Sequence, residues 1–479
     1  MDLCELDATE QAALVRRGEV SPLELVDAAI GRIEALNPEI NAVILPLFDR
    51  ARAVAAAGPG DGPFHGVPIV VKDFDGMLAD APYCAGNHTL SDKGWVAPSS
   101  CWLFDRLEQA GFVIVGKTNT PEFGLMPTTE PLAFGPTANP WNRAHSAGGS
   151  SGGTAAAVAA GMVALGHGGD GGGSLRVPAS MCGLFGLKPS RGRVSLGPDE
   201  AESWAGLVAR HVISRSVRDS AAVLDLLSGY ETGDWYHAPP PARPYAEELG
   251  ELPGQLRIGI RTEAPLGLTV TDPECVAATR TAAGVLEASG HVVEEASPDG
   301  LNDLDALEAI STIMLVSLEA DLGDLADMIG RPITADDVEP MTWMLHEGAV
   351  TVDGASYVRA LGRLHRWARR VIAWWADTGF DVLLTPTCAE PPPLLGDIGN
   401  QTDGGIQASA RSVPFAIYTV PFNATGQPAM SVPMTHDPAG LPLGVQLVAA
   451  PNREDILFRV AAQLEQLRPW PTLPPALDS

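Results

Sequence analysis

Two clusters rich in glycine and serine place hydroxyl groups beside unobstructed backbone amides. The first, GGSSGG, spans residues 148–153, and the second, GHGGDGGGS, ends at Ser174; the alanine-rich stretch 154–165 separates them. Glycine loses more backbone entropy on folding than other residues, so we expect two such clusters to have a function that offsets this cost. A serine nucleophile requires a base and amide donors for the developing oxyanion. The run GGG before Ser174 supplies such amides, and Ser150 is placed to relay a proton.

The base for this chemistry has to come from another part of the chain, and Lys72 is the candidate. It follows the apolar run GVPIVV (66–71), which predicts a buried strand. Burial disfavours an ammonium ion, so the amine could be neutral near pH 7. Successive side chains of a strand point to opposite faces, so the neighbouring Asp73 should point away from the Lys72 amine. From these residues alone, a pair of flexible loops and a solvated Lys72 remain an alternative.

Three other patterns in the same regions suggest different chemistry. GFVIVGKT (111–118) matches the spelling of a phosphate-binding loop, but Phe112–Val115 predicts a buried strand instead. The glycines of 166–171 fit a dinucleotide fingerprint without the strand that should precede it. The pattern G-x-S-x-G around Ser150 fits a nucleophile elbow, yet NRAHSA before it does not predict a strand, and none of the ten histidines has a recognisable setting.

The segments around these residues predict alternating strands and helices. Ser21, Pro22 and Glu24 predict a helix that begins with a capping box. SSCWLFDRLEQAG predicts an amphipathic helix, followed by the strand FVIVG, and 302–379 predicts helices rich in tryptophan and methionine. Short apolar strands that alternate with helices indicate an α/β fold with a parallel or mixed sheet covered on both faces.

Composition narrows the expected binding partners and the expected cellular location of the protein. The 59 acidic residues against 31 Lys and Arg give a net charge of −28, which argues against nucleic acids and anionic membranes. The longest apolar run, Ala155–Leu165, is too short to span a bilayer. Six scattered cysteines favour reduced thiols over a disulfide framework or a zinc site, and the N terminus lacks the apolar stretch of a signal peptide. We expect a cytoplasmic monomer or homodimer that acts on a small molecule without a metal or cofactor.

As a set, these motifs resemble the amidase signature family. The segment 139–195, from NPWNRAHSAGGSSGG to GLKPSRGRVS, is similar to the family's signature region. GVPIVVKD and GKTNTPEFG resemble its upstream blocks, and PFNATGQPAMSVPM and GLPLGVQLVA its C-terminal blocks. The resemblance implies one α/β/α domain over residues 1–479, built on a large, mixed, mostly parallel sheet. It places the signature core at about 66–195 and a variable helical region, for the substrate pocket or a lid, at about 302–379.

The same resemblance implies a Ser–Ser–Lys triad. Ser174 would be the nucleophile, Ser150 the bridging serine after a cis peptide bond, and Lys72 the general base. The residues implied around the triad are the oxyanion amides of Gly171, Gly172, Gly173 and Ser174 and the supporting side chains of Ser151 and Asp170.

One departure from the family pattern lies beside the nucleophile. The family usually reads Thr-Asp-Thr-Gly-Gly-Ser there, whereas this chain has Gly169 and Gly171 in place of the threonines. The amide donors are retained, so the resemblance still implies activity. We expect the extra room to admit a bulkier substrate and the empty loop to be more mobile.

The resemblance implies an amidohydrolase that cleaves a neutral or apolar amide, cyclic amide, anilide or carbamate through an acyl-enzyme. NPEINAVILPLFDRAR and IGRPITADDVE resemble the subgroup of cyclic amide hydrolases that degrade nylon oligomers, and urethane-cleaving amidases also belong to the family. Leu125, Met126, Met314 and Trp343 are candidate pocket residues, although Met and Trp at helical spacing are more often core residues. The alternatives are the glutaminase subunit of a tRNA-dependent amidotransferase, against which the acidic charge argues, and an inactive binding protein.

Overall fold

A mixed sheet of eleven strands runs through the centre of the protein in the computed structural model, which describes residues 3–399 and 401–474. The strands are β1 Val43–Pro46, β2 Pro68–Lys72, β3 Val113–Thr118, β4 Ala138–Asn139, β5 Asn142–Ser146, β6 Leu165–Asp170, β7 Phe185–Lys188, β8 Ala209–Ser214, β9 Arg257–Ile260, β10 Val292–Glu295, β11 Val382–Pro386, β12 Ala429–His436 and β13 Pro442–Ala449. The order in the large sheet is β1-β3-β2-β6-β8-β7-β12-β13-β11-β9-β10, while β4 and β5 form a separate pair.

Helices cover both faces of the large sheet. They are α1 Ala8–Arg16, α2 Pro22–Ile40, α3 Phe48–Ala57, α4 His88–Lys93, α5 Trp102–Gln109, α6 Gly152–Ala159, α7 Arg176–Cys182, α8 Val217–Leu227, α9 Tyr245–Glu248, α10 Pro273–Ala288, α11 Leu304–Ile329, α12 Pro340–Ala349, α13 Gly354–Thr378, α14 Ile406–Ala416, α15 Val420–Thr425 and α16 Glu454–Leu467. Helices α5, α8, α10 and α16 share one buried core with the sheet, and α2, α3 and α6 share another on the opposite face. The layered α/β/α arrangement agrees with the fold predicted from the sequence.

The expectation of a mostly parallel sheet is wrong. Among the described strands of the large sheet, four neighbouring pairs are parallel and six are antiparallel. Strands β12 and β13 are joined by only the five residues 437–441, and so short a connection permits only antiparallel pairing. Strand β8 enters between β6 and β7 and runs antiparallel to both.

Several predicted elements form where the sequence places them. Helix α2 begins with the predicted capping box, in which Ser21 accepts from the Glu24 amide and Glu24 accepts from the Ser21 amide. The helical prediction for 302–379 is met by α11, α12 and α13. Gly330 ends α11 in the left-handed conformation, and Pro340 begins α12. Helices α11 and α13 pack on each other and on the end of the sheet near β11.

Strand β2 fixes the direction of the Lys72 side chain. All five of its residues are buried. Ile69 and Val71 join the core that contains α5, whereas Val70 joins the core that contains α6. Lys72 has the same parity as Val70, so its amine emerges on the α6 side of the sheet.

Two sequence expectations concern membranes and thiols. Every helix within residues 3–399 and 401–474 is too short or too polar to traverse a bilayer. The six cysteines all lie in the described part of the chain; they are buried, and no disulfide joins them.

Candidate active site

Lys72 and Ser150 meet at the end of β2, just before α6. Lys72 is completely buried, and its Nζ lies 2.8 Å from Ser150 Oγ. The Gly149–Ser150 peptide bond is cis, as predicted. Burial lowers the pKa of Lys72 below its ordinary value, and the carboxylates of Asp75 and Asp170 act against that change. The pair therefore consists of a hydroxyl and an amine whose charged form is disfavoured.

Glycine is required at two places around Ser150 because the chain passes close to its neighbours. A Cβ on Gly149 would lie 2.6–2.7 Å from backbone atoms of Met126 and Thr128. A Cβ on Gly124 would lie 3.1 Å from Ser150 Oγ and 3.0 Å from the Phe74 ring. The close packing at Gly149 and Gly124 thus surrounds a Ser150 that lines a cavity.

The second glycine cluster presents Ser174 on the same cavity and is supported by Asp170. Burial alone would raise the Asp170 pKa, but the paired guanidinium of Arg176 brings it to about 2. This carboxylate accepts from the backbone amides of Gly173 at 2.8 Å and Leu175 at 3.2 Å. Asn423 also donates to Asp170, at 2.8 Å. The Gly173 amide is therefore occupied by the carboxylate that supports the loop.

Other contacts hold the glycine run in place. Gly173 has a φ of +136°, and a Cβ there would lie 2.4 Å from Thr419 Oγ1, so only glycine fits. Thr419 donates to the Gly172 carbonyl at 2.6 Å. Ser151 donates to the Gly169 carbonyl at 3.3 Å, which ties the two clusters together.

Two aspartates follow Lys72 closely in sequence, and only one of them reaches its amine. Asp73 points away, as strand alternation predicts, and forms an ion pair of 2.5 Å with Lys117. Asp75, which the sequence analysis missed, contacts Lys72 Nζ through Oδ2, also at 2.5 Å. The signal available was the Asp75–Gly76 pair, because Asp-Gly is typical of a turn and a turn returns the chain toward the strand end.

A cavity of about 300 Å³ contains Ser150 and Ser174 together with the glycines 171–173. Leu125, Met126 and Met314, three of the candidate pocket residues, are among the residues that line it. A separate apolar cavity of about 160 Å³ shares Met314 with this lining and includes residues of α11 and α14. A second recess, of about 260 Å³, opens past Phe74 and Asp75 and is lined by further carboxylates.

Trp343 and Gly169 differ from their expected roles. The lining of the 300 Å³ cavity does not include Trp343; its indole lies on the His346 ring and donates to Glu347 at 3.2 Å. The room expected beside Gly169 is taken by Asp75, since a Cβ on Gly169 would lie 2.3 Å from the Asp75 carboxylate. Gly171 does border the cavity, where a Cβ would lie 3.2 Å from Val208.

The competing motifs take structural roles. Residues 113–118 form β3, so most of the segment that matches the phosphate-loop sequence pattern is a buried strand. Residues 165–170 form β6, so glycines of the dinucleotide pattern lie inside a strand. The expectation that NRAHSA is not a strand is wrong, because Asn142–Ser146 forms β5 by pairing with β4. Within the described residues, no group of His, Cys, Asp and Glu side chains could hold a metal ion.

Comparison with known proteins places this geometry in a family. The Amidase family model matches residues 24–458. The 6-aminohexanoate-cyclic-dimer hydrolase of Paenarthrobacter ureafaciens is 44% identical over 478 residues, which cover 98% of this chain and 96% of that protein.

Two solved structures extend the comparison. The structure of a 6-aminohexanoate cyclic dimer hydrolase complexed with substrate matches at a TM-score of 0.95 and 44% identity, covering 100% of both chains. A bacterial aryl acylamidase matches at a TM-score of 0.86 and 26% identity, covering 97% of this chain and 96% of that one. The chain therefore belongs to the amidase signature family and is an amidase, a hydrolase of carbon–nitrogen bonds other than peptide bonds.

Proposed function

We propose that the protein cleaves its amide substrate through an acyl-enzyme on Ser174. Ser174 Oγ attacks the carbonyl carbon and passes its proton to Ser150 Oγ, while Ser150 passes its own proton to Lys72 Nζ. The resulting ammonium returns a proton through Ser150 to the leaving nitrogen, and the C–N bond breaks. Water then attacks the ester by the same relay and releases the acid.

The observation that carries this proposal is the 2.8 Å contact between the buried Lys72 amine and Ser150, which lines the same cavity as Ser174. A base must be within hydrogen-bond reach of the proton it takes. Burial favours the neutral amine that can accept this proton.

We assign the oxyanion contacts to backbone amides of the glycine run. Donors fixed in place before the reaction stabilise the charge that develops on the carbonyl oxygen. The Gly173 amide already donates to Asp170, so the proposal rests on the amides of Gly171, Gly172 and Ser174, which border the cavity. Asp170 and Ser151 act by holding this loop.

The substrate class we propose is a neutral amide with an apolar part, in linear or cyclic form, with anilides and carbamates as further candidates. The neighbouring apolar cavity, which shares Met314 with the first, offers room for such a part. We further propose that the variable region 302–379 forms one wall of the pocket, through Ser311 and Met314. The relatives named for a cyclic dimer of 6-aminohexanoate and for aryl amides support the cyclic and aryl members of this class.

Substitution of the two serines tests the mechanism. Ser174→Ala should remove both turnover and covalent labelling by a fluorophosphonate, because the nucleophile is gone. Ser150→Ala should cripple turnover but leave slow labelling. Loss of labelling in Ser150→Ala with retention in Ser174→Ala would make Ser150 the nucleophile and overturn the assignment.

A substrate panel tests the specificity. It compares 6-aminohexanoate cyclic dimer, linear aliphatic amides, anilides, aryl carbamates and glutamine by kcat/KM, with Ser174→Ala as the blank. Preference for cyclic amides or anilides supports the proposal, whereas preference for glutamine would favour the glutaminase alternative.

We also propose that the enzyme works in the cytoplasm as a monomer or homodimer. The six buried thiols, none of them in a disulfide, are compatible with a reducing compartment. Cell fractionation and light scattering on the eluted protein measure these two properties.

A further inference from the structure

The Lys72 amine has a second partner besides the serine relay. Asp75 Oδ2 lies 2.5 Å from Lys72 Nζ, and Asp75 is itself largely buried, with one tenth of its side chain exposed. Asp75 adopts φ +64°, in the left-handed region, and this turn directs its carboxylate back toward the end of β2. The contact is therefore built into the backbone that follows the strand.

The Asp75 carboxylate lies against Gly169, which leaves room for it because glycine has no side chain. A Cβ at position 169 would lie 2.3 Å from both Asp75 Cγ and Asp75 Oδ2. Gly169 lies in β6 and has no left-handed φ, so its backbone would accept alanine. Glycine at this position is thus explained by the space that the Asp75 carboxylate occupies.

We propose that Asp75 is a positioning residue for the general base, so that the relay runs Ser174–Ser150–Lys72–Asp75; this rests on the proposed role of Lys72. A carboxylate can only accept hydrogen bonds, so it holds one N–H of the neutral amine and leaves the nitrogen lone pair for Ser150. When the proton arrives from Ser150, the ammonium forms beside a carboxylate already in place.

Other charged and titratable groups surround the pair. Arg210 of β8 disfavours the ammonium form of Lys72, and Asp170 of β6 favours it. His167 of β6 is buried on the other face of the sheet, as is the Lys117–Asp73 pair of β3 and β2. Glu200, paired with Arg210, and Asp321 of α11 border the recess next to Asp75. Among these, Asp75 has the direct contact with Lys72.

The proposal predicts two linked effects of removing the charge. Asp75 stabilises the ammonium, so it raises the pKa of Lys72 in the resting enzyme, against the effect of burial. The same attraction stabilises the ammonium that forms during the reaction. In Asp75→Asn, the acidic limb of kcat/KM should therefore move to lower pH, and the plateau should fall by up to about tenfold for each pH unit of the movement.

The experiment measures kcat/KM from pH 5 to 10 for the full-length wild-type enzyme and four variants. Asp75→Asn removes the charge and keeps a residue that tolerates the left-handed conformation. Gly169→Ala leaves residue 75 intact but places a methyl group where its carboxylate lies, so the limb should move in the same direction. Asp199→Asn, an exposed carboxylate of the neighbouring recess, is the matched control and should leave the profile unchanged. Lys72→Ala reports on the base itself.

Each outcome decides between the proposals. A downward movement of the limb by about one unit or more in both Asp75→Asn and Gly169→Ala supports the role of Asp75. A lower plateau with an unmoved limb in Asp75→Asn would show that Asp75 is merely structural and would overturn its proposed role. In that case Lys72 remains the base if Lys72→Ala is inactive. Wild-type activity in Lys72→Ala overturns both the base and the residue that positions it. Thermal unfolding of each variant shows that the profiles refer to folded enzyme.

Discussion

Two buried lysines stand on neighbouring strands, and only one of them faces a reactive group. Lys72 ends β2, and Lys117 lies beside Val71 in the parallel register of β3. Both amines are fully buried, and each has an aspartate oxygen at 2.5 Å. Each also lies over an aromatic ring, Phe74 at 5.4 Å for Lys72 and Tyr83 at 5.0 Å for Lys117.

The difference lies in the remaining partner of each amine. Lys117 donates to the Pro82 carbonyl at 2.7 Å, and its aspartate accepts from the Cys84 amide, so this pair fixes the loop after β2. Lys72 contacts the Ser150 hydroxyl, which borders the cavity. Burial and a carboxylate are thus common to both lysines, and a hydroxyl that can give up a proton distinguishes the one proposed as base.

Removal of the Lys72 amine should cause the greatest loss of activity. Lys72→Ala should lower kcat/KM by about 10²–10⁴-fold, the usual contribution of a general base. Lys72→Arg should be no better, because a guanidinium stays protonated and cannot accept a proton. Steady-state kinetics on protein of verified thermal stability measure both. An active arginine variant would show that Lys72 is not the base.

Removal of the Lys117 amine should act on stability instead. Lys117→Met leaves Asp73 buried without its cation, and breaking one partner of a buried pair costs about 3–5 kcal/mol of unfolding free energy. The folded fraction should keep a kcat/KM close to that of the wild type. Urea unfolding and titration of active sites with a fluorophosphonate separate the two quantities.

The double variant Asp73→Asn/Lys117→Met provides the control for this cost. It removes both charges, so it should recover part of the lost unfolding free energy. A catalytic defect in folded Lys117→Met as deep as that of Lys72→Ala would remove the distinction between the two lysines.

The sequence predicts the relation of Lys72 to Asp73 because both belong to a strand. Alternation along β2 sends the two side chains to opposite faces, and the structure agrees. The same rule fails for Asp75, because the chain has left the extended conformation and residue 75 has a positive φ. Periodicity predicts side-chain directions only inside regular elements, and the aspartate partner of the proposed base lies just beyond one.

Helical spacing has a similar limit around the cavity. Met314 and Trp343 both lie on predicted helices, yet only Met314 is among the residues that line the cavity. Trp343 packs against a buried apolar cluster that contains Leu318 and Leu322 of α11. A sequence shows which face of a helix is apolar, but the packing of α11 and α12 decides whether that face meets a cavity or another helix.

The pH dependence of the wild-type enzyme should report the environment of Lys72. Burial lowers its pKa, and the proposed mechanism requires the neutral amine, so kcat/KM should rise with pH through a single ionisation. We expect the midpoint to lie below the 10.5 of an ordinary lysine. Lys117→Met should show the same midpoint. A profile that rises in proportion to hydroxide would point to direct attack without a lysine base.

The ring beside each lysine should give the smallest effect. Phe74 lies 5.4 Å from Lys72 Nζ, and a cation–π contact is worth about 0.5–2 kcal/mol, or roughly 0.4–1.5 pKa units. Phe74→Leu keeps the site apolar but removes the ring that favours the ammonium, so the acidic limb of kcat/KM should move to lower pH. Phe74 also lines the cavity, so the midpoint is the informative measurement, whereas KM can change through substrate contacts. Tyr83→Leu, the same change beside Lys117, is the matched control and should leave the midpoint in place. An equal movement in both variants would mean that the limb reports the general polarity of this part of the sheet and not the Lys72 amine.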